Sequence, residues 1–187
     1  MSQNTKSTRL VWIDLEMTGL DVEREVIVEI ATIITEADLT IVAEGPDLVI
    51  SAEDWRLDSM AEVVTDMHTS SGLMPEIRAS TCTVAEAEAQ TLAFVKEHCP
   101  TERCYPLCGN SIGTDRRFIA RYMPYLDAHL HYRSVDVSSI KELARRWYPG
   151  PFARAPKKGK GHRALADIRE SIAELAYWRG AVFRPAN

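Results

Sequence analysis

Two acids sit at alternate positions inside an apolar run near the start of this chain, and that spacing constrains what can be built around them. The stretch Leu10-Val-Trp-Ile-Asp-Leu-Glu-Met-Thr-Gly-Leu20 opens as a buried strand would. Strand side chains alternate with a period of two, so Asp14 and Glu16 share a face with Trp12, while Val11, Ile13 and Leu15 take the other. Neighbouring carboxylates on an apolar strand repel each other and lose hydration. A hard divalent cation, Mg²⁺ or Mn²⁺, relieves both problems through oxygen ligands. On its own, Asp-x-Glu reads equally as a strand end whose acids face water; further acids and a base at suitable places decide between the two.

The 187 residues, 45% apolar and 26% charged, fit one domain able to bury a core, about residues 10–183 behind a polar tail of residues 1–9. No apolar run approaches the roughly 20 residues of a membrane span. The N-terminus lacks the apolar centre of a signal peptide, so the expected location is cytoplasmic, with no membrane partner. Cys82, Cys99, Cys104 and Cys108 form no Cys-x-x-Cys and read as free thiols. A zinc site drawn from His98, Cys99, Cys104 and Cys108 matches no usual finger spacing; Cys104 and Cys108 fit better as same-face strand positions. The net charge of −5 argues against a grip on long duplex DNA, which needs a basic footprint. An acidic chain still serves nucleic acid when metal ions carry the local positive charge or the substrate is short.

Val26 to Thr35 is rich in β-branched residues and predicts a second strand, with Leu39–Ala43 and Leu48–Ile50 continuing the pairing. Ser51 to Gly72 predicts short helices. Thr83-Val-Ala-Glu86 has the form of a capping box, opening a helix that buries Val84, Ala87, Leu92 and Val95 and ends near Pro100. Cys104 to Cys108 predicts a strand, Thr114 a cap for the next helix, and Tyr132 to Asp136 a fifth strand. Ser139-Ile-Lys-Glu142 predicts another capping box; Pro149 to Gly161 a loop carrying Lys157, Lys158 and Lys160; and the last helix starts near Arg163, with Leu165, Ile168, Ile172, Leu175 and Ala176 as its apolar stripe. This order predicts an α/β fold, a five-stranded mixed sheet flanked by helices.

Asp14, Glu16, Asp115 and Asp167 are the candidate acids. His162 precedes Asp167 by five residues, about 500° on a helix, so the two do not share a helical face and His162 belongs to the loop. An imidazole on a loop beside carboxylates suits a general base, because histidine titrates near neutrality. Several carboxylates and a base suit two-metal phosphodiester hydrolysis. Each acid alone has a plainer role; Asp115 is equally a first-turn acid favoured by the helix dipole.

Asp14-x-Glu16, Asp115 and His162-x4-Asp167 together resemble the DEDDh branch of 3′→5′ exonucleases. Trp12-Ile-Asp-Leu-Glu-Met-Thr-Gly-Leu20, Cys108-Gly-Asn-Ser-Ile-Gly113, Leu143-Ala-Arg-Arg-Trp147 and Asp167-Ile-Arg-Glu-Ser-Ile-Ala-Glu-Leu-Ala176 resemble the oligoribonuclease family within it, over nearly the whole chain. The resemblance implies an RNase H-like fold, a homodimer, and an exoribonuclease dependent on two Mg²⁺ or Mn²⁺ ions. It implies short RNA substrates, above all dinucleotides, including the linear products of cyclic dinucleotide signals, released as 5′-mononucleotides. By resemblance, Asp14, Glu16 and Asp167 hold one metal, Asp14 and Asp115 the second, and His162 is the base. Leu20 matches a wedge between the bases and His68 a substrate contact. Ser111, Arg133 and Ser138 match a 5′-phosphate cap, and His131 and Tyr132 residues lent across the dimer. One departure concerns the position five before His68, often aromatic in this family and here Val63; the contact is then a weaker apolar one or comes from another residue such as Trp55. Two rival functions stand beside this one: a related exonuclease trimming DNA or tRNA 3′ ends, and a silent nucleotide-binding domain.

Overall fold

The structure, a computed structural model, describes residues 8–156, 159 and 161–184. Lys157, Lys158 and Lys160 and most of the polar tail lie outside the described residues. The five expected strands form one mixed sheet. They are β1 (Leu10–Met17), β2 (Ile27–Thr35), β3 (Ile41–Val49), β4 (Pro106–Gly109) and β5 (His131–Asp136), in the spatial order β3-β2-β1-β4-β5. β2 runs antiparallel to β1 and β3; β4 runs parallel to β1 and β5.

The alternation read in β1 holds. Val11, Ile13 and Leu15 pack with Ile30 and Ile34 against Ala87 and Val95 of α4 (Val84–His98) and Phe118 and Ile119 of α5 (Gly113–Tyr122). Trp12, on the acidic face, packs with Ala31 and Ile33 against Ala144 of α7 (Val137–Trp147) and Ile168, Ile172 and Trp178 of α9 (Ala164–Ala181). Every residue of β2 is buried, because helices cover both sides of it. α9 therefore crosses the face that carries Asp14 and Glu16.

The capping box at α4 is formed in both directions: Thr83 Oγ1 accepts the Glu86 amide at 3.2 Å, and Glu86 Oε2 accepts the Thr83 amide at 2.8 Å. Other expectations are corrected. Cys104 is exposed and lies ahead of β4, so only Cys108 is a buried strand position. α5 begins at Gly113, which puts Thr114 inside its first turn, not at its cap. α7 begins at Val137 and is capped by Asp136, whose Oδ1 accepts the Ser138 amide at 3.0 Å; the Ser139 hydroxyl donates to Asp136 Oδ2 instead of capping. Pro149 to Ala153 is a short helix, α8, not loop. Ala176 is exposed, and the buried stripe of α9 runs through Ile168, Ile172, Leu175 and Trp178, the helical spacing.

Ser51 to Gly72 does hold two short helices, α1 (Asp54–Asp58) and α2 (Glu62–Ser70); α3 (Leu73–Ala79) follows directly, after Gly72 turns the chain at φ 77°. Between α5 and β5 lies α6 (Pro124–His129), whose first free amides are capped from another helix. Glu88 of α4 accepts the N–H of Tyr125 at 2.7 Å and of Leu126 at 3.1 Å. Among the described residues, no helix is long and apolar enough to cross a membrane.

Candidate active site

The site forms at the C-terminal ends of the parallel strands β1 and β4, where open α/β sheets leave a crevice. Glu16 comes from the end of β1. Asp167 stands in the first turn of α9, which α7 and the sheet hold across the Asp14 and Glu16 face. His162 lies just before α9, with φ 45° in the left-handed region. The ligand atoms of Glu16, His162 and Asp167 all lie within 4.8 Å of one another. Asp115 does not join that group. Its Oδ1 accepts the Leu15 amide at 3.1 Å, so α5 is docked on β1 between Asp14 and Glu16, a hundred residues away in sequence. Gly109 makes the approach of β4 possible: a Cβ there would lie 2.7 Å from the end of the Ile112 side chain and 3.3 Å from the Ile13 carbonyl oxygen.

Burial, then the nearby Asp167, Glu29 and Asp115 charges, push the Glu16 carboxyl up to about 8. Burial likewise pushes Asp115 up to about 7, against the pull of its amide hydrogen bonds. Carboxylates held this far above their usual range call for positive charge beside them. The carboxylate oxygens fit a hard divalent cation, with the His162 imidazole standing beside them.

His68 stands in the last turn of α2. It is wholly buried, with Nε2 donating to the Met17 carbonyl at 2.9 Å and Nδ1 3.9 Å from Glu16 Oε2. Burial lowers its pKa. The ring thus stands beside Glu16 at the edge of the carboxylate cluster.

A second polar cluster sits where β4 and β5 end. The hydroxyls of Ser111 and Ser138 are 3.1 Å apart, and the Ser111 amide, at φ 52°, donates to Ser138 Oγ at 2.9 Å and Asp136 Oδ1 at 3.0 Å. Behind them, Asn110 accepts from Ser138 Oγ at 3.0 Å and donates to Ser171 Oγ at 2.8 Å and Glu174 Oε2 at 3.3 Å. Ser171 Oγ in turn donates to the Asp167 carbonyl at 2.7 Å, so this cluster and the carboxylate cluster share α9. Arg133 lies on the edge strand β5, 5.3 Å from the ring of Tyr132, which stacks on His131 at 4.5 Å. Tyr132, Leu20, Val63 and Trp55 are all well exposed.

Sequence reasoning missed Glu29 and Arg163. An acid in the middle of a largely apolar, β-branched strand is a signal that was available, because a carboxylate survives there only with a partner. Glu29 is the register partner of Glu16 and has no solvent exposure.

The five-stranded mixed sheet flanked by helices is the RNase H-like fold of exonucleases. Residues 11–175 match the RNase_T exonuclease family. The chain is 57% identical over 177 residues to the oligoribonuclease of Rhodococcus jostii, covering 95% of this chain and 89% of that one. It is 59% identical over 176 residues to the oligoribonuclease of Corynebacterium diphtheriae, covering 94% and 84%. Among solved structures it is similar to exonuclease I, with a TM-score of 0.72 at 15% identity over 94% of this chain and 41% of that one. The chain thus spans about two fifths of exonuclease I, and that likeness speaks for the fold alone. The chain belongs to the oligoribonuclease family, 3′→5′ exoribonucleases that hydrolyse short oligoribonucleotides. Divalent metal ions are general to exonucleases of this kind.

Proposed function

We propose that this chain, as a single exonuclease domain in a cytoplasmic homodimer, hydrolyses diribonucleotides in preference to longer RNA, including the linear products of cyclic dinucleotide signals. The convergence of Glu16, His162 and Asp167 carries this reading. Asp14, Glu16, Asp115 and Asp167 would hold two Mg²⁺ or Mn²⁺ ions. When bound, such a pair polarises the scissile phosphate and offsets the charge that builds on the leaving oxygen.

The chain's own groups do the rest. His162, within 4.8 Å of the ligand atoms of Glu16 and Asp167, accepts the proton of the attacking water. Leu20, exposed at the turn after β1, inserts between the two bases. The hydroxyls of Ser111 and Ser138, with the Arg133 guanidinium, hold the 5′ phosphate. His131 and Tyr132 from a second copy complete that end. A closed 5′ end excludes a longer strand, which explains the preference for short substrates.

The test compares a 5′-phosphorylated diribonucleotide with a heptamer in Mg²⁺ or Mn²⁺, beside His162→Ala. Faster cleavage of the dinucleotide and a loss of about 10²–10⁴-fold in the variant are expected, the range of general base catalysis. Equal trimming of the heptamer, or of a DNA strand, would overturn the 5′-cap assignment.

A further inference from the structure

Glu29 places a second buried carboxylate beside Glu16, since register partners on adjacent strands point to the same face. Arg163 makes this tolerable. Its Nε donates to Glu29 Oε1 at 2.8 Å, while Nη1 and Nη2 donate to the two carboxylate oxygens of Glu76 at 2.9 and 2.8 Å. This is the bidentate fork that gives arginine its geometric specificity. The other Glu29 oxygen accepts the Ala164 amide at 3.0 Å, one of the free donors at the start of α9. Burial raises the pKa of Glu29, and the bonds to Ala164 and Arg163 pull it back.

Residues 163 and 164 are thus tied to β2 and α3 by four hydrogen bonds to charged groups. The residue just before them is His162, whose φ of 45° lies in the left-handed region, a strained conformation for a side-chain-bearing residue. Such a backbone persists only where its surroundings hold it. We infer that the clamp formed by Glu29, Arg163 and Glu76 holds His162 in that conformation and so keeps its imidazole against Glu16 and Asp167. Arg163 is then a positioning residue for the reaction; this rests on His162 being the base.

The test uses the full chain on a diribonucleotide in saturating Mn²⁺. Arg163→Lys keeps the charge but puts its donors on one nitrogen, which cannot reproduce the planar fork spanning Glu29 and Glu76. We expect kcat to fall roughly 10- to 100-fold, the scale of a small misplacement of a catalytic group, with KM changed less than about threefold. In a His162→Ala background the same change should cost nothing further. In the metal-free protein the Ala164 amide should exchange with solvent faster in Arg163→Lys, while the amides of α4 keep their rates. Glu76→Gln leaves the buried Glu29 contact in place and should show a smaller loss of the same kind, which keeps the test open if Arg163→Lys folds poorly. An unchanged kcat, or an equal further loss on top of His162→Ala, overturns the inference. If His162→Ala alone retains the wild-type rate, the assignment of the base has failed, and the clamp's role in catalysis falls with it.

Discussion

Ser138 gives its hydroxyl proton to Asn110, 3.0 Å away, and so faces Ser111 only as an acceptor. The Ser111 hydroxyl then donates to Ser138 Oγ at 3.1 Å, and both hydroxyls must rotate to give their protons to an incoming phosphate. All three hydrogen bonds of the Asn110 amide are directional, and a carboxylate in its place would set an oxygen against Glu174 and lose the bond to Ser171. Asn110→Asp is therefore expected to lower unfolding stability by about 1–3 kcal/mol, the scale for a disrupted buried polar group. It should also reduce the preference for a 5′-phosphorylated over a 5′-hydroxyl dinucleotide. Urea unfolding and the two binding constants check this; an undiminished phosphate preference would show that Ser138 needs no orientation from behind.

The acids of the site make the metal-free protein sensitive to pH. Glu16 titrates at about 8 when folded, against 4.5 ordinarily, and Asp115 at about 7, against 3.8. Between those values the folded state binds more protons than the unfolded chain, so stability must fall as pH rises through this window. In EDTA, Tm should be higher at pH 5 than at pH 8, and Glu16→Gln should flatten the slope. Added Mn²⁺ should raise Tm strongly at pH 8 and little at pH 5. A metal-free Tm that climbs from pH 5 to pH 8 would contradict the burial of these groups.

Glu88 caps α6 from α4, so its removal orphans two amides in a helix it does not belong to. Glu88→Ala should cost about 1–3 kcal/mol in urea unfolding. The turnover of the folded variant should stay at the wild-type value, because α6 contributes nothing to the carboxylate cluster. A loss of turnover without a loss of stability would place α6 in the site after all.

Two helix starts that look alike in sequence should respond differently. Thr83→Ala removes a formed capping box and should cost about 1 kcal/mol. Ser139→Ala should cost less than Asp136→Ala, since Asp136 accepts from the Ser111 and Ser138 amides and the Ser139 hydroxyl. Paired denaturation curves settle the order.

That contrast shows what local sequence can reveal. β1, β2 and α4 announce themselves because alternation, β-branching and a capping box all act over a few residues. Asp14 and Glu16 draw attention because two carboxylates in an apolar strand demand an explanation, whereas Asp115, Asp167 and His162 gain their meaning from the resemblance. Ser139 resembles a cap as closely as Thr83 does, but Asp136 reaches the helix start first. Cys104 and Ala176 extend a periodic pattern that the backbone has already left or rotated away from the core. His68 gives no local sign of burial until α2 carries it beside Glu16. The roles of Glu29, Asn110 and Glu88 depend on partners dozens of residues away, and no spacing rule encodes those.

The bond between Leu15 and Asp115, with Asp167 arriving on α9, also bears on how this enzyme comes into being. Proteins emerge from the ribosome N-terminus first. β1 is out early, but its acids have no counterpart from α5 until about a hundred more residues have followed, and none from α9 until later still. A nascent chain that carries Asp14 and Glu16 but not yet α9 cannot bring Glu16, His162 and Asp167 together, so the cluster assembles only after both helices have been made.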